Sequence, residues 1–182
     1  MKVIGVVGLP ASGKGEFSKI AAGMGIPVIV MGDMIRKAVT AAGLEPTDAN
    51  FGMTANRLRA ERGMDAIAQL CIPEIRASNA PLVLVDGIRG DTEVLLFRKH
   101  FSGFTLISID SSFGKRLARI AARARPDDFT SADALRNRDE REIGWGLGKA
   151  LEQADLSISN EGSLEEFSSA VRTLLVNMER DA

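Results

Sequence analysis

The chain predicts a three-layer α/β/α fold, five parallel strands between two layers of helices, on three observations. Five short apolar runs rich in Val and Ile recur along its 182 residues. Helix-like stretches separate them, and a glycine-rich turn ending in lysine joins the first run to the first helix. Runs that are apolar at every position, not alternating, suit strands buried on both faces. Strand and helix alternation with right-handed crossovers then gives a parallel sheet covered on both sides.

Taken in order, the expected strands are Val3–Val7, Val28–Met31, Leu82–Val85, Phe104–Ile109 and Leu156–Ser159. The expected helices are Lys14–Ala22, Asp33–Ala42, Thr54–Ala77, Asp91–Phe101, Phe113–Ala124, Ser131–Ala150 and Ser163–Glu179. Leu44–Gly52 is crowded with turn formers and reads as a loop. Thr54–Ala77 and Ser131–Ala150 interrupt the simple alternation and read as insertions able to cover a site. One domain over residues 1–182 is expected, with an insertion at about 33–78 and a small helical lid at about 116–148. Within the lid region, Gly144-Trp-Gly-Leu-Gly148 is too rich in glycine for a comfortable helix, and reads as a hinge or a close approach of backbone to substrate.

Composition excludes several classes. A hydrophobic share of 45% and a charged share of 26% are those of an ordinary soluble globular protein. A net charge of −1 implies no broad basic face, so nucleic acid is not an expected partner. Cys71 and His100 are single, which leaves no disulfide framework or Cys/His zinc site within one chain. Cys71 reads as a small buried apolar residue and His100 as a polar residue near a helix end. The opening MKVIGVVG is too short to span a membrane and lacks a signal-peptide cleavage pattern, so no membrane partner and a cytoplasmic location are expected.

The chemistry centres on Gly8-Leu9-Pro10-Ala11-Ser12-Gly13-Lys14-Gly15, which fits G-x-x-x-x-G-K between a strand and a helix. Glycines let backbone N–H groups turn toward phosphate oxygens, and the helix N-terminus adds positive partial charge. Lys14 adds a mobile point charge for the terminal phosphates. ATP is the expected ligand of the loop, with Glu16 at its edge. A plain strand-to-helix glycine turn is the bland alternative. The hydroxyl that usually follows the lysine and binds magnesium is missing, because Gly15 stands there. Ser12 or Ser18 would have to substitute, or Mg²⁺ is held by the nucleotide, waters and a carboxylate from another strand. Asp86, at the end of the run Leu82–Val85, is that carboxylate, acting through water. Its alternative reading is a capping aspartate.

Three segments carry a family resemblance. GLPASGKG resembles the GxPGSGKG loop of adenylate kinases, which also place glycine after the lysine. Gly32-Asp33-Met-Ile-Arg36 resembles their GDMLR segment, whose arginine grips the acceptor monophosphate. Asp86-Gly-Ile-Arg89 resembles their DGFPR segment, one residue shorter. Ala154-Asp-Leu-Ser-Ile-Ser-Asn160-Glu-Gly162 is similar to the A-D-x-x-I-x-N-x-G run at the adenine pocket of dephospho-CoA kinase. Over nearly its full length the chain looks most like a little-characterised archaeal group of P-loop proteins related to both enzymes. The resemblance implies a P-loop NTPase fold, Arg36 and Arg89 on the acceptor phosphate, and Asn160 and Gly162 on the donor base. It departs from the pattern at Ala11, which replaces a loop glycine.

Arginines dominate the lid region: Arg116, Arg119, Arg123, Arg125, Arg136, Arg138 and Arg141. Arg119-Ile-Ala-Ala-Arg123 resembles the R-I-x-G-R start of the adenylate kinase lid, which implies Arg119 on adenine and Arg123 on donor phosphates. Arg125 and Arg136 match the spacing of two further lid arginines that meet the transferred phosphoryl. Two or three of the seven are expected to reach phosphate. Arg57, Arg59 and Arg62 lie in the acceptor-side insertion, with Arg59 and Arg62 on neighbouring helix turns. They clamp an acidic acceptor or form a solvated face; both readings stand.

These residues favour a small-molecule kinase. ATP is the donor, and the acceptor is a nucleoside monophosphate or a phosphorylated cofactor precursor of the dephospho-CoA type. Asp33 would orient or deprotonate an acceptor hydroxyl if the product is a phosphomonoester, and only position a monophosphate acceptor if it is an anhydride. The competing reading is a nucleotide-dependent binding module or slow ATPase without a small acceptor. A GTPase switch is disfavoured, since N-K-x-D is missing and Asp86-Gly-Ile-Arg89 lacks the glycine of D-x-x-G.

Overall fold

The structure, a computed structural model, describes residues 1–123 and 131–180. Five strands form one all-parallel sheet: β1 (Lys2–Val7), β2 (Val28–Val30), β3 (Leu82–Asp86), β4 (Phe104–Asp110) and β5 (Leu156–Ser159), in the order β2-β3-β1-β4-β5. β1 is central, with Ile4 level with Leu84 on one side and Thr105 on the other. The helices among the described residues are α1 (Lys14–Gly23), α2 (Met31–Ala41), α3 (Asp48–Arg62), α4 (Ala66–Ala77), α5 (Asp91–His100), α6 (Phe113–Arg123), α7 (Ala132–Gly144), α8 (Leu147–Glu152) and α9 (Leu164–Arg180).

Alternate residues of the same strand serve two cores. Val3 and Val7 of β1, with Val83 and Val85 of β3, pack under α2, α4, α5 and α8. Ile4 and Val6, with Leu82 and Leu84, pack under α1 and α9 through Phe17, Ile20, Phe167 and Val171. That double burial is why the strand sequences are apolar throughout. Cys71 is buried in the first core, and burial pushes its thiol up to about 12, so it is inert at neutral pH.

Three expectations change. Thr54–Ala77 is two helices, because Gly63 terminates α3. Leu44–Gly52 is a shorter loop, because the Thr47 side chain caps the Asn50 N–H and starts a helix at Asp48. Ser131–Ala150 is also two helices. They part at Gly146, whose φ of +101° and packing against α5, where an added Cβ would lie 2.6 Å from Asp91 Oδ1, both demand glycine. The close approach at the glycine run is therefore to the start of α5. Asp86 ends β3, with Gly87 after it, instead of capping a helix; α5 begins only at Asp91.

Candidate functional site

The loop between β1 and α1 lies at the carboxyl ends of the strands, and its carbonyl groups are held from behind. Lys14 Nζ donates to the carbonyls of Gly8 and Leu9, the latter at 3.1 Å. Arg116 donates to the Pro10 carbonyl at 3.1 Å. Arg119 reaches the Ala11 and Ser12 carbonyls at 3.5 and 3.4 Å, and Asn160 Nδ2 donates to the Ser12 carbonyl at 2.8 Å. A trans peptide sets each carbonyl opposite the following N–H. Fixing the Pro10 and Ser12 carbonyls therefore turns the Ala11 and Gly13 N–H groups the other way, as phosphate binding needs. Gly13 has φ +120°, and an added Cβ would sit 2.3 Å from the Asn160 amide nitrogen. Ala11 keeps the positive φ, 62°, that a glycine would adopt without strain.

Two of these buttresses, Arg119 and Asn160, are residues the sequence singles out, and one is not. Arg119 and Asn160 meet: Arg119 donates to the Asn160 carbonyl and to Ser111 Oγ. Gly162 precedes α9, where Ser163 and Glu166 form a reciprocal capping box. Arg116 is buried, with a two-pronged bond to Asp139 of α7 at 2.8 and 2.6 Å. It ties α6 and α7 to the loop and is not one of the solvated lid arginines its sequence context suggests. The alternation Arg-Asn-Arg-Asp-Glu-Arg over 136–141 hid Asp139 as one more surface charge.

A cleft of about 910 Å³ opens from the loop toward α2 and α3, and Lys14, Gly15, Arg36, Asp86 and Arg89 all line it. Asp86 accepts a hydrogen bond from Ser18 Oγ at 2.7 Å. Ser18, one turn beyond Lys14, thus brings a hydroxyl to the carboxylate. Lys14 lies deep in this site; burial lowers its pKa to about 8 despite the favourable charges of Glu142 and Asp86. Arg36 pairs with Asp33 three residues earlier on exposed α2. Arg89 reaches Glu142 at 3.5 Å. Glu16 pairs with exposed Lys19 and does not line the cleft.

Among lid residues the arrangement departs from the expected one. Arg136 bonds Asp133 at 3.0 Å and lies over the Phe113 ring, outside the cleft lining. The cleft's guanidinium groups come from Arg138 and Arg141 instead, because the helical repeat of α7 turns 138, 141, 142 and 145 to one side. Arg123 ends α6, and Arg125 lies outside the described residues. Sequence reasoning also missed Glu93 and Glu142, two buried carboxylates on the cleft wall. Glu142 accepts from Arg138 at 2.9 Å, and its i,i+4 spacing was the available signal. Glu93 accepts the Arg89 backbone N–H at 2.7 Å and sits 4.0 Å from Arg59; burial raises its pKa. In sequence it is an ordinary acidic residue of a first helical turn.

Relatives named UPF0200 protein match the whole chain: 64% identity over 181 residues in Methanoregula boonei, covering 100% of both chains. In Methanoculleus marisnigri the identity is 62%, over 98% of this chain and 97% of the relative. The chain belongs to the UPF0200 family. Within this UPF0200 chain, residues 4–144 also match the AAA domain family. The UPF0200 fold is similar to crystal structures of TT1252 from Thermus thermophilus (TM-score 0.68, 20% identity, 97% of each chain covered) and of a gluconokinase from Sinorhizobium meliloti 1021 (0.59, 18%, 99% and 94%). A shikimate kinase from Aquifex aeolicus is similar at TM-score 0.53 and 18% identity, over 98% and 97% of the two chains. The expected fold and family are thus found: an archaeal family of P-loop, kinase-like α/β proteins. No helix among the described residues is long and apolar enough to cross a membrane.

Proposed function

We propose that this protein is an ATP-dependent small-molecule kinase, transferring the γ-phosphoryl group to an anionic acceptor of the nucleotide or phosphorylated-precursor type. One observation carries the reading. The cleft that begins at Lys14 does not stop at the phosphate loop but continues past Asp86 to Arg89, Arg36 and the insertion between β2 and β3. A slow ATPase needs no such second half.

The residues divide accordingly. Gly8 to Gly15 offer N–H groups to the donor phosphates, and Lys14 leaves the Gly8 and Leu9 carbonyls to neutralise them. Arg119, Asn160 and Gly162 lie toward the donor base. Asp86 and Ser18 would hold Mg²⁺ through water; that ion supplies charge neutralisation between phosphates. Arg36 and Arg89 grip the acceptor. The acceptor oxygen attacks the γ-phosphorus in line and the bond to the bridging oxygen breaks, releasing ADP. A hydroxyl acceptor would give its proton to Asp33, whereas a monophosphate acceptor has none to lose. Residues 33–78 form the acceptor side and 116–148 the lid. Arg123, Arg125 and Arg136 remain lid candidates for the moving phosphoryl, and Arg138 of the cleft lining is a further one.

The test is product formation with ATP and Mg²⁺ against nucleoside monophosphates and dephospho-CoA, with Lys14→Ala as control. A phosphorylated acceptor, lost in the Lys14 variant, is expected. Phosphate release that no acceptor accelerates would favour the slow ATPase.

A further inference from the structure

The far wall of the cleft carries arginines beyond those assigned to the transfer reaction. Arg59 and Arg141 line it, together with Glu93, Glu142 and Trp145. Arg59 comes from α3 with its side chain only 13% exposed, and its carboxylate neighbour Glu93 stands 4.0 Å away, beyond hydrogen-bond length. Among the described residues Arg59 makes no hydrogen bond. It is held instead over the Trp145 ring, 5.5 Å from the centroid, and Arg141 lies over the same ring at 5.5 Å. An aromatic face holds a guanidinium by dispersion and charge while leaving its N–H fork available. Two distant parts of the chain, α3 and the end of α7, thus bring two such forks to one indole at the cleft.

Arg89 lines the same cleft, and its charge acts on both Lys14 and Arg59. Phe51, Ala55 and Ile67 give the adjoining cleft an apolar side. A largely buried guanidinium with hydrogen-bond capacity left over is stabilised by an anion.

We propose that Arg59 and Arg141, gathered at Trp145, form a second anion subsite on the acceptor side. The acceptor then carries a phosphate or carboxylate in addition to the group that receives the phosphoryl. The proposal rests on the kinase reading for the word acceptor, but the subsite itself is read without turnover. Trp145 is the only tryptophan, so its emission reports this cluster alone. The purified protein, with and without ADP, is titrated with inorganic phosphate and with malonate, following Trp145 emission and heat. A saturable response to either anion is expected, and the better probe identifies the group. Arg59→Met and Arg141→Met should each weaken it at least tenfold, with ADP affinity within twofold of wild type. Lys37→Met, which breaks an exposed pair outside the cleft lining, should leave it in place. Absence of a saturable response in the wild type, wild-type anion affinity in both Arg59→Met and Arg141→Met, or loss of the response in Lys37→Met would each overturn the subsite. Arg141 is exposed, so its variant tests the idea even if Arg59→Met folds poorly. A kinase that fails the acceptor screen can still pass this test, and the reverse.

Discussion

The two sides of the cleft are built differently. On the donor side the loop is braced by buried or half-buried groups from distant elements: Arg116 with Asp139, Arg119, and Asn160. On the acceptor side the pairs on α2, α3 and α4, Arg36 with Asp33, Lys37 with Glu74 and Arg57 with Glu61, are exposed. Buried, hydrogen-bonded ions hold a geometry firmly, whereas exposed pairs contribute little and exchange freely with solvent or ligand. The donor side is therefore preorganised for one kind of ligand, and the acceptor side is free to rearrange around another.

The largest effect that would test this contrast lies at Arg116. Arg116→Met keeps the stem but leaves Asp139 without its partner, and should destabilise the fold by about 3–5 kcal/mol. Denaturant unfolding measures it. Arg36→Ala should leave stability within about 0.5 kcal/mol of wild type. In steady-state kinetics it should raise the acceptor KM roughly ten- to hundredfold, from the loss of a charge-assisted contact worth about 1.5–3 kcal/mol. Equal loss of stability in the two variants would erase the distinction between the sides.

A pH effect sharpens the donor half. Burial lowers Lys14 to about 8, so its ammonium is lost as pH rises through that value in the free protein. Bound phosphate favours the charged form, so nucleotide binding should take up a proton above pH 8, and affinity should fall as pH rises. Calorimetry in buffers of different ionisation heat reads the uptake directly. The sign for stability is opposite. Between about 8 and the ordinary lysine value of 10.5 the unfolded chain holds the proton more tightly, so this group's penalty on folding shrinks as pH rises.

The smallest change concerns metal. An added Cβ at Gly15 meets nothing within 4 Å, so Gly15→Ser should fold unchanged. It restores the hydroxyl that usually follows the loop lysine, and should lower the Mg²⁺ concentration needed for half-maximal nucleotide binding by a few fold. A steric loss of nucleotide binding would mean the open space at Gly15 belongs to the ligand.

Sequence legibility follows the same divide. The strands were readable because both their faces are buried, which leaves an unbroken apolar signature. The loop was readable because phosphate binding by backbone needs glycines at fixed spacing. The helix break at Gly63 was not, since a single glycine inside a helical pattern signals a break only weakly; at Gly146 the run of glycines did signal one, but not that it packs on α5. Asp139, Glu142 and Glu93 were hidden because a buried, paired charge has the same letter as a solvated one. Arg136 and Arg138 are two residues apart on one helix, and only the packing of α7 decides which of them meets the cleft.

The loop's bracing also has a consequence in time. Its Gly-Lys motif is synthesised first, yet β1 pairs with strands that begin at residues 82 and 104, and the Ser12 carbonyl waits for Asn160. During synthesis the motif therefore exists long before the pocket does. A growing chain can acquire nucleotide affinity only near its end, when β5 docks. Binding of ATP would then report that folding is complete, and a chain stalled before residue 160 would carry the full motif without the loop geometry that makes it work.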